Sequence, residues 1–155
     1  MTATIPGTIT DQREAAVLAG VPNQLLIGGR WRASSSGATL PVDDPATGQT
    51  LVHVADATPE DGEAALSAAV VAQASWAATA RRELGEILRR AYEAIVADVD
   101  DLALLMTLEM GKSIAESRGE ILYAAEFFRW FAEEAVRIGG RFATAPDGRT
   151  RLLTT

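Results

Sequence analysis

The sequence contains no cysteine. That absence removes disulfides, thiolate metal sites and a cysteine nucleophile from these 155 residues. Histidine is almost as scarce, with His53 the single example. A general base needs a partner to orient it; none is placed by the sequence, so His53 reads as a structural strand residue. There is no basic cluster, and the formal net charge is −7. This argues against a nucleic-acid or anionic-membrane surface. The longest apolar runs, such as Ala68 to Ala72, are far too short to span a bilayer. The N-terminus has no basic region followed by an apolar one, so the expectation is a cytoplasmic protein without a secretory signal. The glycine fingerprint of dinucleotide-binding loops, G-x-G-x-x-G, is missing as well.

What is present is one domain's worth of chain, 48% apolar, which is enough for a core. The stretch Thr107 to Arg141 dominates it. Gly111 follows an apolar helical pattern and suits the left-handed residue after a helix. Ser113 and Glu116 have the spacing of a capping box that opens the next helix. In that helix Ile114, Ile121, Ala125, Phe128, Ala132 and Ala135 share one stripe. Tyr123, Phe127, Trp130 and Phe131 extend the apolar surface around the circumference, leaving a narrow polar strip of Glu126, Arg129, Glu133 and Arg137. A helix so apolar should be covered on more than one side. Gly111-Lys112-Ser113 imitates the end of a phosphate loop, but that loop needs G-x-x-x-x-G-K-S/T after a strand. Met106 stands where the first glycine belongs, in a helical stretch, so the motif fails.

Before this stretch, residues 1–24 read as a tail with a helical possibility from Asp11 to Ala19. Leu25-Leu26-Ile27, Gly28-Gly29 and Arg30-Trp31-Arg32 spell a small hairpin. Pro41, Asp43-Asp44-Pro45 and Gly48 read as turn residues, and Leu51 to Ala55 as a strand. Thr58-Pro59-Glu60-Asp61 starts a helix by cap, proline and charge together, with Leu66, Ala69, Val70 and Trp76 at helical spacing. A second helix from about Thr79 carries Leu84, Ile87, Leu88, Ala91 and Ile95. Asp98 to Asp101 breaks it, and a third brings Leu102, Leu105 and Leu108 to Gly111. The fourth runs from Ser113 to about Ile138. Arg141 to Thr155 then reads as two short strands around Pro146-Asp147-Gly148. Asp43, Asp44 and Asp56 read as turn acids rather than a cation site, and Glu109 and Glu116 as helix-end acids. The aromatic group reads as buried packing, with substrate lining the minority alternative.

From Leu25 onward the chain resembles the N-terminal part of the aldehyde dehydrogenase superfamily. The matching stretches are Ile27-Gly28-Gly29-Arg30-Trp31, Asp44-Pro45-Ala46-Thr47-Gly48, Ala57-Thr58-Pro59-Glu60-Asp61, the Trp76 helix and Leu108-Glu109-Met110-Gly111-Lys112. Gly119-Glu120-Ile121, Tyr123-Ala124-Ala125 and Trp130 to Ala135 look most like the succinate-semialdehyde dehydrogenase branch. Met110 departs from the glutamine common there, and Ser113 from proline.

The resemblance implies an α/β fold: a small β segment, four helices and an oligomerisation-type β-hairpin, together an incomplete Rossmann-like domain. It divides the chain into the tail 1–24, the N-terminal part of an NAD(P)-binding domain at 25–139, and the start of the hairpin at 140–155. It implies oxidation of succinate semialdehyde with NAD or NADP through a cysteine thiohemiacetal. The cysteine, the glutamate and the cofactor contacts would lie beyond this chain, so no catalytic or cofactor-binding residue is assigned and the chain alone is expected to be inactive. Tyr123 and Gly119 are the positions the resemblance places at the substrate tunnel. Implied partners are a small aldehyde and further copies in a homodimer or homotetramer, with no nucleic acid, membrane or metal. The alternatives are a freestanding helical interaction module and an aldehyde dehydrogenase of another substrate class.

Overall fold

A computed structural model describes residues 11–154; the part of the 1–24 tail before Asp11 lies outside them. In chain order the elements are α1 (Asp11–Gly20), β1 (Leu25–Ile27), β2 (Arg30–Arg32), β3 (Thr39–Asp43), β4 (Thr50–Ala55), α2 (Pro59–Ala78), α3 (Arg81–Ala97), α4 (Val99–Met110), α5 (Ile114–Ala135), β5 (Arg141–Thr144) and β6 (Arg151–Thr154). The strands form three separate antiparallel pairs, β1–β2, β3–β4 and β5–β6. Fold class is thus mixed helix and strand, as the sequence implies, with the helices making the body.

That body is α3, α4 and α5. Its buried apolar residues are Val99, Ala103, Leu104 and Leu108 from α4 and Ala125 and Ala135 from α5. The predicted stripe of α3 (Leu84, Ile87, Leu88, Ala91 and Ile95) is half-buried along its length. Small residues set the spacing. A Cβ at Gly85 would stand 2.8 Å from the Ala132 carbonyl oxygen, so only glycine lets α3 approach α5 this closely. Ser117, fully buried, shares a 3.0 Å hydrogen bond with Thr107, and Arg118 reaches Asp100 at 2.9 Å. These two bonds join α5 to α4. At the other side α1 packs on α4, where Arg13 pairs with Asp101 at 3.2 Å.

The hairpin turn at Gly28 and Gly29 has positive φ at both residues, the geometry that matches strand twist in a two-residue loop. Gly111 is left-handed at φ 71° and its N–H bonds to the Thr107 carbonyl, closing α4.

Four expectations need correction. Pro41 and Asp43 are not turn residues; they lie in β3, opposite His53 and Thr50. A two-stranded sheet has only edge strands, so a proline without an N–H is tolerated there. The break after α3 is Asp98 alone, because Val99 already begins α4 and is itself buried. Helix α5 stops at Ala135 rather than near Ile138, with Val136 as its C-cap. At its start the Ser113 hydroxyl accepts from the Glu116 N–H at 3.3 Å, but the Glu116 carboxylate accepts a hydrogen bond from the Ser113 hydroxyl at 2.8 Å instead of reaching the Ser113 N–H. Half of the expected box is therefore a side-chain pair.

Candidate functional site

Helix α5 has two apolar faces. Ser117, Ala125 and Ala135 point into the body and are sealed. Tyr123, Phe127, Trp130 and Phe131 fall at i, i+4, i+7 and i+8, which is a second stripe. Their exposures are 68%, 49%, 64% and 55%, so this stripe faces solvent and is not the buried packing expected of it. Tyr123 and Phe127 meet edge to face, ring centres 5.1 Å apart at 85°, the arrangement the ring quadrupole favours. With Glu126, Trp130 and Phe131 they line a shallow concavity on the outside of the helix. Glu126 pairs with Arg129 at 2.6 Å, and Arg129 also sits 5.8 Å over the Tyr92 ring. The concavity is apolar with one charged rim.

Of the two positions the resemblance points to, Tyr123 lies inside this concavity. Gly119 is one turn earlier on α5 and exposed; a Cβ there would meet nothing within 4 Å. The two share a face by their spacing. Lys112 pairs with Glu120, and Gly111 lies against Pro45, whose Cγ would be 3.0 Å from an added Cβ. The corner thus seats one matching stretch, Asp44 to Gly48, on another, Leu108 to Lys112. The Asp44 carboxylate shapes the first by accepting from the Ala46 N–H and the Thr47 hydroxyl, both at 2.8 Å. Those bonds, the Ala46 N–H first, hold its pKa below the usual carboxylate range.

One residue escaped the sequence reading except as a helix-start acid. Asp61, only 1% exposed, is the hub of the junction between β2, the loop at 34–36 and α2. Its carboxylate accepts from the Ser35 N–H at 3.0 Å, the Thr58 N–H at 3.1 Å and Arg32 at 2.6 Å. The hydroxyls of Ser35 and Ser34 add bonds at 3.2 and 3.3 Å. The Ser35 and Thr58 backbone N–H groups, in that order, hold its pKa far below the ordinary range. The Thr58–Asp61 spacing marks a capping box, but partners more than 25 positions away leave no local signal. Buried and fully engaged, Asp61 has no access to a substrate; its role is to hold the junction.

Asp43 is likewise engaged, accepting from Thr50 at 2.7 Å. Among the described residues no group of three or more His, Asp or Glu side chains is placed to hold a metal ion. A dinucleotide phosphate finds no fit at the glycine–lysine corner, because the Gly111 N–H is bonded to Thr107 and the Lys112 ammonium to Glu120. No described helix is long and apolar enough to cross a membrane.

The family model described as "Aldehyde dehydrogenase family" matches residues 31–155. The chain belongs to the aldehyde dehydrogenase family. Among the relatives of this aldehyde dehydrogenase chain, a succinate-semialdehyde dehydrogenase of Paenarthrobacter nicotinovorans is 57% identical over 103 residues, 66% of this chain and 23% of the relative. A glutarate-semialdehyde dehydrogenase of Pseudomonas putida is 44% identical over 130 residues, 84% of this chain and 27% of the relative. The crystal structure of betaine aldehyde dehydrogenase from Staphylococcus aureus in complex with NAD+ superposes with a TM-score of 0.84 at 27% identity, covering 87% of this chain and 27% of that one. The chain therefore spans about a quarter of the length of the proteins it matches. Its five described helices and small sheets correspond to the N-terminal part of the aldehyde dehydrogenase fold.

Proposed function

We propose that this chain supplies the N-terminal part of an NAD(P)+-dependent aldehyde dehydrogenase that oxidises succinate semialdehyde to succinate. The 57% identity to the Paenarthrobacter succinate-semialdehyde dehydrogenase carries this reading, against 27% to the betaine aldehyde dehydrogenase. The glutarate-semialdehyde relative at 44% makes a one-carbon-longer semialdehyde the runner-up. The NAD+ complex of the Staphylococcus neighbour supports a nicotinamide cofactor. When bound, that cofactor supplies the hydride acceptor, and the described residues leave its binding to the rest of the protein. In this reading 25–139 begin the cofactor-binding domain and 140–155 the hairpin through which copies assemble as a cytoplasmic homodimer or homotetramer. With no cysteine, the chain is inactive alone.

Tyr123 and Gly119 act on substrate rather than on chemistry. The exposed tyrosine ring sets the width of the aldehyde's approach, and the open space at Gly119 keeps the preceding turn clear.

The test is a covalent fusion of residues 1–155 to the remaining polypeptide of the Paenarthrobacter relative. It is assayed with succinate semialdehyde, glutarate semialdehyde and betaine aldehyde, and with both cofactors. The expected result is the highest kcat/KM on succinate semialdehyde; preference for either other aldehyde overturns the reading. In the same fusion Tyr123→Ala is expected to reorder the three aldehydes and leave KM for the preferred cofactor unchanged. An unchanged order with normal stability removes Tyr123 from the lining.

A further inference from the structure

One polar side chain is sealed inside the helical body. Among the described residues the buried polar groups are Ser34, Asp44, Asp61 and Ser117. The first three belong to the turns and the junction of the first half of the chain, where their bonds are local to those features. Ser117 alone lies in the body of α3, α4 and α5, and its exposure is 0%. Its hydroxyl oxygen and that of Thr107 on α4 stand 3.0 Å apart and share one hydrogen bond. No buried side-chain nitrogen or oxygen among the described residues lacks a partner, and this bond is what satisfies Ser117.

The other contacts of α5 are of a different kind. Toward α3, Ala132 and Ala135 lie against Gly85. Methyl groups limit how near two helices come, but they present the same shallow relief at each turn and mark no single register. Two ion pairs also tie the start of α5, Lys112 with Glu120 and Arg118 with Asp100. Arg118 and Asp100 are 49% and 66% exposed, and exposed pairs on long side chains hold position weakly. The Ser117–Thr107 bond is buried, and its two side chains are too short to follow a helix that slides. A slide of about 2 Å would stretch it beyond hydrogen-bond range. Fixing register is the best-attested use of a buried polar contact. Tyr123 follows Ser117 by six residues, which is about 9 Å along the same rigid helix. Whatever holds Ser117 in place therefore holds the tyrosine ring.

We propose that the Ser117–Thr107 hydroxyl pair sets the axial position of α5 against α4, and through it where the Tyr123 ring stands in the aldehyde's approach. Both are positioning residues, and neither touches substrate. The proposal rests on Tyr123 lining that approach, but the position of the helix is measurable without any substrate.

The test uses the covalent fusion of residues 1–155 to the rest of the Paenarthrobacter relative. Ser117→Ala, Thr107→Val and the double variant remove the bond, whereas Thr107→Ser keeps the hydroxyl. Fluorotryptophan is incorporated, the Trp130 resonance is assigned by Trp130→Phe, and fluorine NMR then reports the position of α5. That resonance is expected to shift or double in both single variants and to keep the parent position in Thr107→Ser. The ratio of KM values for succinate semialdehyde and glutarate semialdehyde should change roughly 3- to 10-fold, as a full ångström of misplacement can cost on the order of 100-fold. The kcat on the preferred aldehyde and the KM for the cofactor should hold. Because two hydroxyls make one bond, the double variant should match either single one rather than sum them. An unmoved Trp130 resonance overturns the proposal, whatever happens to the melting temperature, and so does summation in the double variant. A moved resonance with an unchanged aldehyde ratio upholds the hydroxyl pair as the feature that positions α5 and removes the lining role of Tyr123.

Discussion

The two faces of α5 have nearly the same hydropathy and opposite fates. The inner face uses Ser117, Ala125 and Ala135, small enough for Gly85 and α4 to come close, and it is sealed. The outer face uses Tyr123, Phe127, Trp130 and Phe131, and it is open. Size, not polarity, separates them. Small side chains suit direct backbone approach by neighbours already in the chain, whereas large rings need a deep partner surface that these elements do not build. The junction at Asp61 adds a third case. A handful of hydrogen bonds seals it within the first half of the chain, because polar satisfaction needs partners rather than area.

Breaking the sealed side should cost most. Leu104, 1% exposed in the helix that packs on the inner face of α5, is the largest fully buried apolar side chain. Leu104→Ala is expected to lower stability by about 2–5 kcal/mol, read from urea unfolding of the fusion protein. A loss near zero would mean that the inner face is no better packed than the outer one.

Asp61→Asn comes next and has a pH signature. The folded carboxylate titrates well below its unfolded value, so its contribution is fully present above the unfolded value of about 4. The contribution is lost as pH falls from there towards the folded value. The parent's thermal midpoint should therefore drop steeply below about pH 4. In Asp61→Asn the midpoint should start lower at neutral pH and fall less in acid. Parallel pH profiles would show that the hub does not couple to folding.

The smallest effect is expected outside. In the isolated chain Trp130→Ser removes contacts with water rather than with protein, so stability should stay within about 0.5 kcal/mol. Solubility should rise. A large destabilisation would show that the outer face is already packed.

Much of this contrast was legible in the residues. Period alone identified one stripe of α5 and the apolar surface that continues beyond it, and Thr58, Pro59, Glu60 and Asp61 announced the start of α2 by cap, proline and charge; the capping box itself came from the structure. Which stripe faces inward was less plain, since Phe128 and Ile114 were counted with the core and lie at its margin, both 38% exposed. Pro41 misled because proline marks turns and edge strands alike, and only the register with His53 separates them. The Asp98 break looked four residues wide because three acids cluster there, yet Asp100 and Asp101 sit comfortably at the positive start of α4. Asp61 as a hub was out of reach, as Arg32 and Ser35 arrive through tertiary folding. The α5 concavity was legible as composition; its openness depends on what packs beside it.

The β5–β6 hairpin has a further consequence through its turn. The Asp147 carboxylate accepts from the Arg149 and Thr150 N–H groups, both at 2.9 Å, and from the Thr150 hydroxyl at 2.6 Å. Every one of those partners lies within three residues, so the bend is specified before any surface meets the strands. Much of the ordering entropy is then met locally, and loop closure across so few residues takes well under a microsecond. The hairpin is bent by its own residues. Closing it is a local event that waits for no surface elsewhere in the fold.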